Sequence, residues 1–254
     1  MRKILIDGDV LLYMALATAH EDTLESACAR YTGILKDVTE IHFADPKDVE
    51  LYLSTDGANF RKNQYEVYKS NRKTRAVLEH LPGLKDWVFN TLQGIHSPNG
   101  EADDYLLIRA ADLDAQGNPW IIATVDKDLR TYPGSFYNLR TRDWLTVSEE
   151  DAFTFMIQQF VMGDSVDGIK GLKLWGPKKT EALINNYHSW ESNYDKAKEI
   201  WRDQYGKGWE APFNETCNLA FIRRRAVDLK PLDFARMSHD AVRALLRIPL
   251  QGHP

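Results

Sequence analysis

The 254-residue chain has only two cysteines, Cys28 and Cys217, and they lie far apart in the sequence. Their separation excludes the C-x-x-C spacing of zinc sites and a disulfide framework, so we expect reduced thiols in the core. The seven histidines show no paired ligand spacing, and no Gly-x-x-x-x-Gly-Lys-Ser/Thr loop is present. These absences argue against soft-metal and ATP chemistry.

The sequence also has no run of about 18 uncharged apolar residues, so no membrane span is expected. The apolar stretch Val10–Ala19 follows a basic start and superficially resembles a secretory signal. Asp7 and Asp9 stand just before it, where a signal is basic or neutral. We therefore predict a buried strand followed by a helix, in an intracellular protein.

Positive charge is not abundant, since the net charge is -5. That value argues mildly against a nucleic-acid partner, because phosphate contacts need a basic footprint. The basic residues are nevertheless concentrated in Arg61–Arg75, Lys170–Lys179 and Arg223–Arg225. One such run is usually a solvated face, but three beside an acidic cluster suggest a surface divided by charge.

Short apolar runs alternate with segments whose apolar residues recur every three or four positions. This alternation predicts an α/β fold with a mostly parallel central sheet flanked by helices. We expect this unit at 1–147 and a helical portion at 148–254. The predicted strands are Lys3–Ile6, Val49–Thr55, Pro119–Val125 and Ser135–Leu139. The predicted helices are Thr23–Ile41, Leu78–Leu92, Ala102–Leu113, one after Ser148, Lys178–Asn186, Trp190–Tyr205 and Asn214–Val227.

Three predicted strands are each followed by an aspartate: Asp7, Asp56 and Asp126. A single aspartate there is commonly a turn or helix-cap residue. Because the carboxyl ends of parallel strands form the ligand crevice, we expect the three to converge. Four further acids fall near the same edge: Glu101, Asp103, Asp104 and Asp128. Asp164 and Asp167 are three residues apart, which predicts that both lie on one face of a helical turn.

Carboxylates forced together repel one another, and a cation must offset that repulsion. A ligand set of carboxylates without His or Cys selects Mg²⁺ or Mn²⁺. Two such ions about 4 Å apart would stabilise the attacking water and the leaving oxygen of a phosphoryl displacement.

Six blocks in order over residues 4 to 187 resemble the flap endonuclease and 5′-3′ exonuclease superfamily, closest to its bacteriophage and bacterial branch. They are Ile6-Asp7-Gly8-Asp9, Ser54-Thr55-Asp56, Tyr68-Lys69-Ser70-Asn71-Arg72, Glu101-Ala102-Asp103-Asp104, Thr124-Val125-Asp126-Lys127-Asp128, and Gly163-Asp164 through Asp167 and Gly171 to Gly176-Pro177-Lys178.

The resemblance implies a PIN-like nuclease core with an arch segment at about 60–95. It implies two divalent ions, and Asp7 and Asp56 would also count among the catalytic residues. The first metal group matches Asp7, Asp56, Glu101, Asp103 and Asp104. The second matches Asp126, Asp128, Asp164 and Asp167.

The same resemblance gives Lys69 and Arg72 a catalytic role at the base of the arch, where fixed cations stabilise phosphate charge. Their spacing of three predicts one shared helix face, and Tyr68 and Lys73 join them as DNA-contact candidates. A helix–three-turn–helix motif is implied in the helical portion, with a monovalent cation such as K⁺ in its loop. Its candidate DNA contacts are Gly168, Lys170, Gly171, Lys173, Gly176, Lys178 and Lys179.

The chain departs from the family pattern at three positions. Leu174 stands where the family usually has glycine, and Trp175 where it has a small aliphatic residue. These changes bear on the grip on duplex DNA and on the monovalent site, although Trp175 could also be a packing residue. Asp9 replaces a small polar residue, and we consider it as a residue that supports the metal ligands.

The expected activity is a 5′-3′ exonuclease or flap endonuclease that leaves 5′-phosphates, in DNA replication or repair. The expected partner is DNA with a 5′ end, nick or flap, or an RNA–DNA hybrid, and the expected form is a monomer in the bacterial or phage-infected host cytoplasm. One alternative is a haloacid-dehalogenase-like phosphatase with Asp7 as nucleophile, which would leave most of the acids unused. Another is a DNA-binding accessory protein without catalysis.

Overall fold

A computed structural model of the chain describes residues 2–16, 23–42, 44–66, 68–70, 78–185 and 189–246. The chain forms two compact units. The first comprises residues 1–59, 75–127 and 134–146, and the second comprises 60–74, 128–133 and 147–254. Two short segments, 60–74 and 128–133, thus belong to the second unit although they precede residue 147.

The first unit is built on a six-stranded sheet of order β3-β2-β1-β4-β5-β6. The pairs β1·β2, β1·β4, β2·β3 and β4·β5 are parallel, which confirms the predicted α/β class. The strands are β1 (Lys3–Asp7), β2 (Val49–Asn59), β3 (Ile95–Asn99), β4 (Trp120–Thr124), β5 (Gly134–Asn138) and β6 (Trp144–Val147).

Four helices cover this sheet: α1 (Gly8–Leu16), α2 (Leu24–Ile41), α4 (Leu81–Thr91) and α5 (Ala102–Ala115). Ile4 and Ile6 of β1 belong to a core cluster with residues of α1, α2 and α4, including Leu84 and Val88. Helix α5 packs against β1, β2, β3 and β4. The carboxyl ends of the buried central strands are therefore held between helices, as a parallel sheet requires.

Strands β3 and β6 were missed by the sequence analysis, and both lie at the edges of the sheet. Strand β3 contains Pro98, which a sheet tolerates at its edge. Three of the four residues of β6 are exposed. Edge strands bury little, so neither carries the apolar pattern that identifies a buried strand.

The second unit is mainly helical, with α3 (Phe60–Gln64), α6 (Glu149–Met162), α7 (Pro177–Asn185), α8 (Trp190–Tyr205), α9 (Glu210–Ala220) and α10 (His239–Leu246). Helix α6 packs against α7, α8 and α9. The core includes Phe160 and Trp201, whose indole N–H donates to the Phe160 carbonyl at 2.9 Å.

Two predictions for the second unit are wrong. An antiparallel pair, β7 (Gly163–Asp164) with β8 (Ile169–Lys170), interrupts the helices. Helix α9 begins at Glu210 rather than Asn214, because Pro212 is accommodated in its first turn. It ends at Ala220 rather than Val227. Among the described residues, no helix is long and apolar enough to cross a lipid bilayer.

Candidate active site

Asp7 is the last residue of β1 and is only 2% exposed. Its Oδ1 accepts the Val10 N–H of α1 at 3.1 Å, and its Oδ2 accepts the Thr124 hydroxyl at 2.7 Å. Asp7 thus caps a helix, as aspartates at such positions commonly do. A carboxylate has about four lone-pair positions, so two hydrogen bonds leave capacity for a cation.

Like charges surround Asp7. Burial, assisted by the Asp9 and Asp126 carboxylates, raises the pKa of Asp7 to about 7. Burial also raises the pKa of Asp9. The charge of Glu101 raises this pKa further, and the Lys85 ammonium lowers it. In the first unit, Asp9 and Asp126 are therefore close enough to Asp7 to affect its charge, and Glu101 is close enough to affect that of Asp9.

Ser54 connects three elements at this edge. Asp9 of α1 accepts the Ser54 N–H at 3.1 and 3.3 Å, and the Ser54 hydroxyl accepts the Ala102 N–H of α5 at 3.0 Å. In the first turn of α5, Asp104 is fully buried and accepts the Glu101 N–H at 3.0 Å. Asp9 is thereby connected through Ser54 to the first turn of α5, next to Glu101.

Ser54 and Thr124 were not among the site residues predicted from the sequence. Each stands two positions before a candidate acid, Asp56 and Asp126 respectively. Thr124 accepts the Asp126 N–H at 2.9 Å while it donates to Asp7. A hydroxyl residue two positions before each acid was the available signal.

Asp56 does not follow the end of a strand, which corrects the prediction. Strand β2 continues to Asn59, with a register shift between Ser54 and Asn59. The Asp56 side chain is 90% exposed, and its Oδ1 lies 2.6 Å from the Lys85 ammonium. The structure thus directs Asp56 towards solvent and Lys85.

Among the described residues, no three His, Cys, Asp or Glu side chains stand close enough to ligate one metal ion as placed. The chemistry of the first unit nevertheless fits a hard divalent cation. Its donors are carboxylate oxygens, including the half-buried Asp103 and the buried Asp7. The buried negative charge around Asp7 is the kind that a divalent ion compensates.

The second unit holds the remaining acids. Asp164 lies in β7 and its Oδ1 accepts the Val166 N–H at 2.7 Å. Asp167 lies beyond it, and its carboxylate is 3.7 Å from the Lys69 ammonium. The two aspartates are not on one helical turn, because the segment forms the β7–β8 pair. Asp128 accepts a hydrogen bond from the Gln159 amide at 2.8 Å.

Lys69 is half-buried and is not helical, since its φ is 53°. The predicted helix face shared with Arg72 is therefore wrong at Lys69. Arg72 and Lys73 themselves lie outside the described residues. Tyr68 is 6% exposed and belongs to the core of the second unit, so it is a packing residue and offers little surface for the predicted DNA contact.

The glycine-rich segment from Gly168 to Lys179 carries exposed lysines, at Lys170, Lys173, Lys178 and Lys179. At its tip, Leu174 is 92% exposed and has a φ of 63°, a conformation that favours glycine. The half-buried Trp175 packs against the core, with the Lys179 ammonium 4.0 Å from its ring centroid.

The basic run at residues 223–225 is not the surface that the sequence analysis suggested. Arg223 is fully buried and donates to the carbonyls of Phe221 and Asp228. Arg224 is 2% exposed and donates to the carbonyls of Leu246 and Thr131. Both guanidinium groups satisfy backbone acceptors inside the second unit.

Comparison with known proteins places these features in a family. The "5'-3' exonuclease, N-terminal resolvase-like domain" family profile matches residues 2–148. The chain is 27% identical over 218 residues to flap endonuclease Xni of Shewanella sediminis, covering 80% of this chain and 84% of the relative. It is 28% identical over 201 residues to the exonuclease of Escherichia phage T7, covering 72% of this chain and 67% of the relative.

Solved structures show the same fold. The bacteriophage T5 flap endonuclease, in a complex with DNA and metal ions, superposes with a TM-score of 0.64 at 17% identity, covering 96% of this chain and 93% of that chain. The T5 5′-exonuclease with bound zinc gives a TM-score of 0.61 at 18% identity, over the same shares of the two chains. At such identities the likeness establishes the fold alone.

The family profile favours the nuclease interpretation over the dehalogenase-like phosphatase, and it confirms the resemblance found in the sequence. It spans the part of the chain that contains Asp7, Asp56, Glu101 and Asp126. Because this profile matches more than half of the residues of the chain, the chain belongs to the 5′-3′ exonuclease family of nucleases.

Proposed function

We propose that this nuclease hydrolyses DNA phosphodiester bonds at or near 5′ ends, with two divalent cations, Mg²⁺ or Mn²⁺, per active site. The observation that carries the proposal is the buried Asp7 at the end of β1, hydrogen-bonded to Thr124 and adjacent to Asp9 and Asp126. Such buried negative charge costs stability unless a cation compensates it. Relatives named flap endonuclease and exonuclease support the reaction class.

The first metal group would comprise five acids, and the second would comprise four. Bound divalent ions would activate a water molecule and stabilise charge on the phosphate oxygens. The chain's own contribution is to fix the carboxylates through Thr124 and Ser54. The groups are Asp7, Asp56, Glu101, Asp103 and Asp104, then Asp126, Asp128, Asp164 and Asp167.

Lys69 is proposed to stabilise the transition state by pairing with a phosphate oxygen. Its ammonium is 3.7 Å from Asp167 and 4.9 Å from the centroid of the Tyr68 ring. Both contacts restrict the side chain. Lys69→Ala should therefore slow single-turnover cleavage much more than it weakens DNA binding, and an unchanged rate would remove this role.

The exposed lysines of the segment from Gly168 to Lys179 are proposed to hold the duplex behind the 5′ end. The segment would form part of a helix–three-turn–helix motif, and its loop would also bind a monovalent cation such as K⁺. Lysine and backbone N–H contacts to phosphate position DNA without reading its sequence. A monomer in the bacterial or phage-infected host cytoplasm, acting on nicks and flaps, is the form we propose. RNA–DNA hybrids would be accepted as well.

A cleavage assay tests the proposal. Mg²⁺ should support cleavage of a 5′-labelled flap or nicked duplex to products with 5′-phosphates, and a chelator should abolish it. The sizes of the labelled products distinguish release of mononucleotides from release of intact flaps. Added KCl and a hybrid substrate test the monovalent site and the RNA–DNA preference in the same format.

The matched variants are Asp126→Asn with Asp128→Asn, against the control Asp37→Asn. Asp37 is a surface acid paired with Arg142 at 3.1 Å. The double variant should lose Mg²⁺-dependent cleavage while the control retains it. Full activity of the double variant would refute the second metal group. Binding of DNA without any cleavage by the wild type would instead indicate the inactive accessory protein.

A further inference from the structure

Lys85 makes an unusually asymmetric ion pair at the acidic edge of the first unit. Its ammonium is 2.6 Å from Asp56 Oδ1, yet the Lys85 side chain is only 12% exposed while Asp56 is 90% exposed. The neighbouring residues Leu84 and Val88 of α4 are fully buried. The ammonium is thus held at the protein surface by an anchored helix, and the carboxylate reaches to it from solvent.

The asymmetry decides which partner can leave the contact. The Lys85 side chain is mostly covered and extends from a helix that is anchored in the core, so its ammonium stays in place. An exposed carboxylate remains hydrated and can turn away at little cost. Asp56 is therefore the exchangeable partner of the pair, and Lys85 remains in position to meet another anion.

Lys85 provides positive charge at a proposed metal ligand. Its ammonium lies 2.6 Å from Oδ1 of Asp56, which the proposed function places in the first metal group. A divalent ion bound to Asp56 would therefore compete with Lys85 for this carboxylate.

We infer that Lys85 couples metal binding to DNA binding by exchanging Asp56 for a substrate phosphate. The inference rests on the proposed function, in which Asp56 is a metal ligand. A divalent ion that takes Asp56 leaves Lys85 without its partner and beside a like charge. A phosphate oxygen of the substrate then replaces the carboxylate. Metal and DNA therefore strengthen each other's binding, and by linkage the effect is equal in both directions.

The test compares Lys85→Ala and Lys85→Met with Lys85→Arg and the control Lys36→Ala. Methionine retains an apolar stem over the same surface, which guards against misfolding of the alanine variant. Lys36 is a 70% exposed lysine paired with Glu40 on α2. Thermal unfolding verifies that all four variants fold.

Two affinities are measured for each protein. Calorimetry gives the affinity for Mn²⁺ without DNA. Fluorescence anisotropy gives the affinity for a 5′-flap duplex with and without Ca²⁺, after gels confirm that Ca²⁺ supports no cleavage. We expect Ca²⁺ to tighten DNA binding by the wild type at least about fivefold, the lower end of ordinary coupling. Lys85→Ala and Lys85→Met should bind Mn²⁺ more tightly than the wild type and lose most of this coupling.

Lys85→Arg should retain the coupling, and Lys36→Ala should match the wild type. Unchanged or weaker Mn²⁺ binding by both uncharged variants would overturn the inference, as would full coupling in either. These outcomes are separate from the proposed function, which fails if wild-type protein shows no Mg²⁺-dependent cleavage.

Discussion

The Thr124 hydroxyl donates a 2.7 Å hydrogen bond to the buried Asp7 carboxylate. The same oxygen accepts the Asp126 N–H at 2.9 Å. One side chain at the end of β4 therefore fixes an acid at the end of β1 and the backbone of an acid just beyond β4. Thr124 thereby connects Asp7, from the first proposed metal group, to Asp126, from the second.

Thr124→Val should destabilise the protein and weaken its affinity for Mg²⁺. Valine has the same shape, but it leaves the Asp7 carboxylate and the Asp126 N–H without this partner. An unsatisfied buried polar group costs about 1–3 kcal/mol. Denaturant unfolding gives the loss of stability, and a Mg²⁺ titration of cleavage gives the loss of affinity.

Thr124→Ser is the matched control, because serine retains the hydroxyl. It should lose less stability than the valine variant and keep the wild-type Mg²⁺ requirement. Equal Mg²⁺ curves for the valine variant and the wild type would show that the hydroxyl does not organise the metal site.

The metal-free protein should lose stability as pH rises from about 4 to above 7. Burial and the neighbouring carboxylates raise the pKa of Asp7 to about 7 in the folded protein, from 3.8. The folded state then binds more protons than the unfolded state in this interval, so stability falls with rising pH. At about 1.36 kcal/mol per pKa unit, the contribution is on the order of a few kcal/mol.

Asp7→Asn isolates this contribution because asparagine cannot ionise. In chelator at pH 8 it should be more stable than the wild type, and the difference should shrink towards pH 5. Saturating Mg²⁺ should stabilise the wild type much more than the variant. Unfolding curves at several pH values measure both effects, and a variant with the wild-type pH dependence would assign the titration to another group.

The sequence was sufficient for the parallel sheet and for the position of Asp7 at the end of β1, since buried central strands carry continuous apolar runs. It could not predict that β2 continues past Asp56, because the extension to Asn59 lacks such a run and depends on pairing with β3. The edge strands β3 and β6 were missed for the same reason. Local pattern identifies an element only where one of its faces is buried.

Backbone groups that pair with one another or with side chains explain the errors in the second unit. Spacing of three suggested a helical turn for Asp164 and Asp167, but the pairing of β7 with β8 decided their conformation. Charge suggested a surface for Arg223 and Arg224, but both guanidinium groups donate to backbone carbonyls inside the second unit. The acceptors of Arg223 are close in sequence and that of Arg224 at Leu246 is distant, yet no spacing of residue types marks either one beforehand.

A glycine in the proposed DNA-binding segment can be required because no Cβ fits there or because DNA approaches the backbone. Gly171→Ala and Gly176→Ala should distinguish these two reasons. A Cβ at Gly171 would lie 2.0 Å from the Met162 carbonyl carbon, and a Cβ at Gly176 would meet nothing within 4 Å. The backbone of Gly171 cannot yield without disturbing the pairing of β7 with β8, so we expect a loss of about 2 kcal/mol or more. Gly176→Ala should change stability by less than about 0.5 kcal/mol.

Any loss of duplex affinity in Gly176→Ala would then report direct approach of DNA to the backbone. Thermal unfolding and anisotropy on the same samples give the two readouts. If Gly171→Ala were as stable as Gly176→Ala, the close packing against Met162 would not constrain this position.

Leu174→Gly should not destabilise the protein, although it removes a large apolar side chain. Leu174 is 92% exposed, so its removal sacrifices almost no packing, and its φ of 63° costs an ordinary residue roughly 1–2 kcal/mol. Glycine relieves that cost but loses more conformational freedom on folding, about 0.5–1 kcal/mol. The expected change is therefore between zero and about 1.5 kcal/mol of added stability.

Leu174→Ala is the control, because alanine keeps the backbone strain while it shortens the side chain. If the leucine side chain contacts the duplex, both variants should bind a flap substrate more weakly by a similar factor, whatever their stabilities. If backbone conformation alone governs the grip on DNA, alanine should bind like the wild type and glycine should differ. Anisotropy at two salt concentrations distinguishes these results, since loss of an apolar contact leaves the salt dependence of binding unchanged.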